Sequence, residues 1–197
     1  MMPAMDLRRW MRLGAVACAL ALTGADSGRC GESLGAPAVE AALVRLGSGD
    51  AHEQQKALLQ LEALRDASTA DEVRARIESR DAGVRAYAVR ALAAIEGMGA
   101  VPVILERLAG DRDPWVRRAA LTALEPWAKT DFRIAETMVS ALNDRSPEVR
   151  MVAADVVSRL SDAEAARGAL EARRRRERHR DVRRVLDALL DEAPGRP

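Results

Sequence analysis

The stretch "DRDPWVRRAALTAL", residues 111–124, carries two adjacent arginines inside a segment that otherwise has the composition of a protein core. Val116, Ala119, Ala120, Ala123 and Leu124 recur at spacings of three and four, which puts them in one stripe along a helix. Arg117 and Arg118 fall off that stripe, so the spacing predicts both as rim residues with their charged heads in water. Asp113 stands just before the stripe as an N-cap, and Pro114 follows at the first helical position, where its missing amide donor costs nothing.

The same phrase returns as "DAGVRAYAVRAL" at 81–92, "SPEVRMVAADVV" at 146–157 and "HRDVRRVLDALL" at 179–190. The valines Val84, Val116, Val149 and Val182 stand 32, 33 and 33 residues apart (84 to 116, 116 to 149, 149 to 182). A fifth copy, "DAHEQQKALLQL" at 50–61, has Glu53 in the valine's place and is expected to close a capping box between Asp50 and Glu53. Asp50, Asp81, Asp113, Ser146 and His179 share the cap position, and all but the histidine are good capping types.

Self-similarity at such a period marks a solenoid, in which each unit is too small to bury its own apolar face and leans on a neighbour. Between the capped segments lies a second set: "APAVEAALVRLGSG" at 36–49, "STADEVRARIES" at 68–79, "GAVPVILERLAG" at 99–110, "DFRIAETMVSALND" at 131–144 and "SDAEAARGALEA" at 161–172. The two sets together predict ten helices, in five antiparallel pairs, over residues 36–192.

Composition agrees with an all-α chain. Of 197 residues, 48% are hydrophobic and 31% charged, yet only 3% are aromatic. Alanine, leucine, arginine and glutamate form helices well, whereas sheets draw on β-branched and aromatic residues. The 31 basic residues nearly balance the 30 acidic ones, so no general field draws the chain onto nucleic acid or anionic lipid.

Residues 1–25 differ in kind from the rest. Arg8, Arg9 and Arg12 precede an apolar run from Leu13 to Leu22, and Thr23 and Ala25 stand at the small positions of a signal-peptidase site. The run is too short to span a bilayer as a mature helix. The expectation is an export signal over 1–25, a flexible lead-in over 26–35 and a flexible tail over 193–197, in a periplasmic or envelope protein with no transmembrane helix after cleavage. Lipidation of Cys18 or Cys30 is the weaker alternative: Arg29 precedes Cys30, and the apolar run before Cys18 is short.

The D-x-x-V-R-x-x-A pattern of these copies resembles the HEAT-like repeats of the phycobilin-lyase type, over roughly four fifths of the chain. That resemblance implies a right-handed α-solenoid of HEAT or armadillo type, serving mainly to bind other proteins. It further implies that the arginine after each valine, Arg85, Arg117, Arg150 and Arg183, pairs with an aspartate of a neighbouring unit in a structural ladder, with Asp81, Asp111, Asp144 and Asp181 as partners. The helices of the second set would line the concave face with Arg74, Arg76, Glu106, Arg107, Arg133 and Glu136, a polar groove without a deep pocket.

Motifs for chemistry are sparse. The related deoxyhypusine hydroxylases hold two irons on repeated His-Glu pairs, but this chain has only His52 and His179, and one His-Glu pair cannot assemble a metal site. Serine-histidine-acid order, a glycine-rich phosphate loop and a CxxC pair are all missing from the sequence. No cofactor, metal or catalytic residue is therefore expected.

One local field stands out. "RRRRERHRDVRR", 173–184, sets eight arginines against Glu177 and Asp181 just before the last capped helix. The candidate partner-binding residues are Trp115, Arg173, Arg174, Arg175, Arg176, Arg178 and Arg180. The leading reading is a non-catalytic scaffold that binds another protein. The alternative is an anion or nucleic-acid binder centred on 173–184, nucleic acid being disfavoured because the basic charge sits at one end only. A factor or enzyme of the phycobilin-lyase-like family ranks third.

Overall fold

A computed structural model of the protein describes residues 36–192. The export signal, both cysteines, the lead-in and the tail expected from the sequence lie outside these residues. Ten α-helices and no strand occur among them: α1 (Ala36–Leu46), α2 (Ala51–Leu64), α3 (Ala70–Ala75), α4 (Ala82–Glu96), α5 (Val101–Gly110), α6 (Pro114–Ala128), α7 (Phe132–Ala141), α8 (Pro147–Ser158), α9 (Ala163–Arg176) and α10 (Arg180–Glu192). The even-numbered helices are those of the recurring valine-arginine phrase and the odd-numbered ones the second set; two of the latter are capped as well, α7 by Asp131 and α9 by Asp162.

Each odd helix packs on the even helix that follows it, giving five pairs, and the even helices also stack directly on one another from α2 to α10. The core runs along this stack. Val84, Val116, Val149 and Val182 are all fully buried, as are Leu58, Leu92, Leu124 and Leu186. Each such side chain is worth roughly 1.5–3 kcal/mol of transfer from water, and each is covered in part by the next repeat, so the repeats are stable together.

Three local expectations change. "STADEVRARIES" is one helix by periodicity but folds as α3 between two 3-10 turns, Ala67–Thr69 and Arg76–Glu78. Asp66 accepts the amide of Ser68 at 2.9 Å and starts the segment two residues early. The Asp50–Glu53 capping box does not close. Asp50 caps His52, but its own amide donates to Ser48 Oγ at 3.1 Å while Glu53 pairs with Lys56 and Arg45. Ser146 occupies the cap position of α8 without capping it; its hydroxyl instead donates to Glu148.

By length and composition the run 82–110 would suffice to cross a membrane. Here it is broken at Gly97, whose φ of 58° ends α4, and its apolar side chains Val89, Leu92, Ile104 and Leu108 belong to the core between repeats.

Candidate partner-binding surface

The loops that enter the even helices share one construction. Two residues before each cap, Ser48, Ser79, Asp111, Asp144 and Glu177 accept the cap residue's amide on their side chains, at 2.7–3.2 Å. Six residues after that acceptor, Gln54, Arg85, Arg117, Arg150 and Arg183 return a side-chain donor to its carbonyl oxygen. The loop is thus tied from within before any other repeat is involved.

Three of the arginines also reach forward. Arg85 grips Asp111 through Nε and Nη2, both at 2.9 Å; Arg117 grips Asp144 at 2.8 and 2.7 Å; Arg150 grips Glu177 at 2.8 and 3.0 Å. These are bidentate forks, the strongest geometry for a guanidinium and a carboxylate. Three of the four expected arginines thus pair with a carboxylate of the next repeat, while two expected partners take no part. Asp81 accepts from Val84 N and Gln55, and Asp181 lies in the first turn of α10, near Arg184. The third acceptor is Glu177, and Arg183 bonds the Glu177 carbonyl with no carboxylate partner among the described residues.

The ladder also corrects the reading of Arg117 as a rim residue. Only 3% of its side chain is exposed, whereas Arg118 next to it is indeed on the surface. Helical spacing identifies a residue off the apolar stripe but cannot say that a carboxylate from the next loop will cover it.

Burial pushes the Asp111 and Asp144 carboxyls up, yet the hydrogen bonds from Arg85 and Arg117 and from the cap amides outweigh it, and both end below their ordinary range. The same balance holds for Glu177, where burial opposes Arg150, the His179 amide and Arg173, and the carboxyl falls to about 2. Arg85 and Arg117 are held above their ordinary value, chiefly by the hydrogen bonds to Asp111 and Asp144.

The arginine cluster divides accordingly. Arg173 is the second guanidinium on Glu177, Arg174 pairs with Asp187, and Arg175 lies along Glu171. These three of the candidate binding residues are engaged within the fold. Arg176, Arg178 and Arg180 are exposed and make no ion pair among the described residues.

Trp115 lies in a different place, at the lip of a groove of about 640 Å³ that runs across α2, α4, α6 and α8. The residue is 45% exposed, and its ring meets Tyr87 edge to face, with centroids 6.0 Å apart, a favourable aromatic geometry. It can lie there because α4 has Gly83 beneath it: a Cβ at that position would come within 3.0 Å of Trp115 Cζ3 and 2.4 Å of Gln55 Nε2. Trp127 lines the other end, and Arg65, Arg90, Arg118 and Glu62 supply the charge. Arg90 pairs with Glu62 at 2.9 Å and sits 5.5 Å from the Tyr87 ring, while Glu62 Oε2 has no hydrogen-bond partner. The even-numbered helices therefore line this groove, and the odd-numbered ones do not. Of the residues expected there, Arg74 pairs with Glu96, Arg76 donates to Leu46 O, and Arg107 pairs with Glu78.

A second groove of about 830 Å³ lies among Ala128, Val139, Leu160 and Ala166, with Phe132 exposed at its edge. Phe132 was not among the residues the sequence singled out, since a lone aromatic beside a helix cap carries no periodic signal.

Residues 37–125 and 101–190 each match the family of HEAT repeats. The chain belongs to the HEAT-repeat family. Among solved structures, the complex of CpcE and CpcF of phycocyanin lyase from Nostoc sp. PCC7120 is similar over 78% of this chain and 98% of that one, at 23% identity and a TM-score of 0.61. An engineered protein is similar over 77% of each chain, at 22% identity and a TM-score of 0.51. At these identities the likeness is one of HEAT-type fold alone. No curated protein matches the chain in sequence. Among the described residues no group of three or more histidine, cysteine or acidic side chains is placed to hold a metal.

Proposed function

We propose that the stacked repeats form a non-catalytic scaffold that binds another protein in the groove across α2, α4, α6 and α8. The observation that carries this reading is the half-exposed Trp115 at the lip of a mixed apolar and cationic groove on the continuous row of helices. Tryptophan and arginine are the side chains that most often dominate the energy of protein interfaces. The groove is open, suited to a side chain or a helix edge of a partner, with Arg65, Arg90 and Arg118 along its lining.

The likeness to the phycocyanin lyase structure supports the same kind of surface, because that structure is of a complex between two proteins. The proposal extends to location: residues 1–25 act as an export signal and the scaffold works in the cell envelope, a reading that rests on their sequence.

The test begins with recovery of the partner from envelope extract and its purification, followed by titration against the parent chain, Trp115→Ala and Arg118→Glu. Truncating an anchor of this type is expected to weaken binding about tenfold or more, with little dependence on salt. Equal affinity of all three proteins, or recovery of nucleic acid alone, overturns the reading.

A further inference from the structure

A second arginine recurs with the repeat, one residue before each cap: Arg80, Arg112, Arg145 and Arg178, at intervals of 32, 33 and 33. All four are exposed, and none makes an ion pair among the described residues. Arg112 Nη2 donates to Arg80 O at 3.4 Å, and Arg145 Nη2 donates to Arg112 O at 3.0 Å and to Asp111 O at 3.4 Å. The Arg112 and Arg145 guanidiniums therefore lie over the preceding loop, and Arg80 and Arg178 hold the same register position in their own loops. A guanidinium has five donors, so most remain free.

Among the acids near these arginines, Glu78 shares a surface depression with Arg80 and Arg112 and pairs with Arg107 at 3.2 Å, and Glu148 accepts the Ser146 hydroxyl. Asp111, Asp144 and Glu177 are held by the buried ladder, and Asp81 and Asp113 accept the amides of Val84 and Trp115. The helices α4, α6, α8 and α10 all begin here and turn the positive ends of their dipoles to the same edge. Arg176 and Arg180 add two exposed cations at its last loop.

We propose that this edge binds an extended acidic polypeptide segment, one carboxylate to each repeat. Packed helices stand about 8–10 Å apart, and an extended chain advances about 3.3 Å per residue. Every third residue of such a chain thus meets the next arginine. Carboxylate presented in this way matches the guanidinium fork. A nucleic-acid strand is the poorer fit, because single strands are held by aromatic stacking between basic contacts, and residues 79–81, 111–113, 144–146 and 177–179 include no tryptophan, tyrosine or phenylalanine.

The test uses three fluorescent probes at low salt, read by anisotropy against the full chain: a peptide with four glutamates at every third position separated by Gly-Ser, a peptide of the same composition with the four glutamates contiguous, and a single-stranded dodecanucleotide. The spaced peptide is expected to bind several-fold tighter than the contiguous one. Arg80→Gln, Arg112→Gln, Arg145→Gln and Arg178→Gln are each expected to weaken it about two- to fivefold, and the fourfold variant to abolish binding while keeping the parent's helical circular dichroism. Trp115→Ala should leave peptide binding unchanged, which separates this edge from the groove. Equal binding of the two peptides, tighter binding of the oligonucleotide, or an unaffected fourfold variant overturns the proposal.

Discussion

From α4 to α10 the clamp between successive loops is an arginine held by a carboxylate of the next repeat, whereas between α2 and α4 the same two positions are Gln54 and Ser79. Both members of the ionic pair are absent together. Gln54 still donates to the Ser48 carbonyl at 2.5 Å, as the arginines do to theirs, and the helices are bridged instead by Gln55 and Asp81 at 3.1 Å. The comparison separates two jobs that one arginine performs elsewhere. The bond to its own loop shapes that loop and is kept in all five repeats; the forward fork couples repeat to repeat and is confined to three. Desolvating two charges offsets much of their attraction, so an ionic clamp and a neutral one can coexist in one fold, while a buried charge stripped of its partner is strongly destabilising.

The strongest way to break the comparison is to make half a clamp. Arg117→Gln leaves Asp144 largely buried with its main partner gone, and breaking a buried pair from one side costs about 3–5 kcal/mol. Urea unfolding should show that loss. Adding Asp144→Ser recreates the Gln–Ser arrangement of the first repeat and should recover most of it. A double variant no more stable than the single one would mean that the first loop is held by something other than its matched neutrality.

Glu177 offers a sharper probe, because two guanidiniums and two backbone amides converge on it and only 1% of its side chain is exposed. Its carboxyl is depressed from 4.5 to about 2, so the folded state binds its proton less readily than the unfolded one. The stabilisation is complete above about pH 4.5 and disappears as the pH falls toward 2. The shift corresponds to about 3 kcal/mol. Asp111 and Asp144 act in the same direction, so Glu177→Gln should flatten part of the acid-induced loss of stability and leave the rest. Stability curves of equal slope in that window for parent and variant would remove Glu177 from the ladder.

The repeat, the caps at Asp50, Asp81 and Asp113 and the buried valines were legible in the sequence because they recur at helical spacing. The ladder was legible in part: the arginines repeat as one residue type and Asp111 and Asp144 were expected as partners, but the third acceptor is Glu177, and the rule joining the three is a place two residues before the cap. The groove was less visible still. Trp115 stood out as a residue, yet its seat depends on Gly83 one repeat earlier, and nothing local marks that glycine. Gly83→Ala should displace the Gln55 amide and the Trp115 ring, with a net stability change within about 1 kcal/mol because the better helix propensity of alanine offsets the crowding, and shift the tryptophan fluorescence as the ring moves. Unchanged emission would show that the ring is seated elsewhere.

The smallest effect comes from completing the ladder. Gln54→Arg with Ser79→Asp gives the first repeat the fork of the others, and the new arginine can keep the carbonyl bond to Ser48 that Gln54 makes now. Because the charges must be desolvated to meet, the net gain is expected to stay within about 1 kcal/mol of zero. Coupling should change more than stability does. In a stack where each repeat touches only its neighbours, an added link at one junction ties the opening of the first pair to that of the second. Amide exchange in α2 should slow toward that of α4, and exchange in α8 should stay as it was. Slower exchange throughout the stack would mark a general gain in stability, and no change in α2 would show that the fork positions loops without coupling repeats.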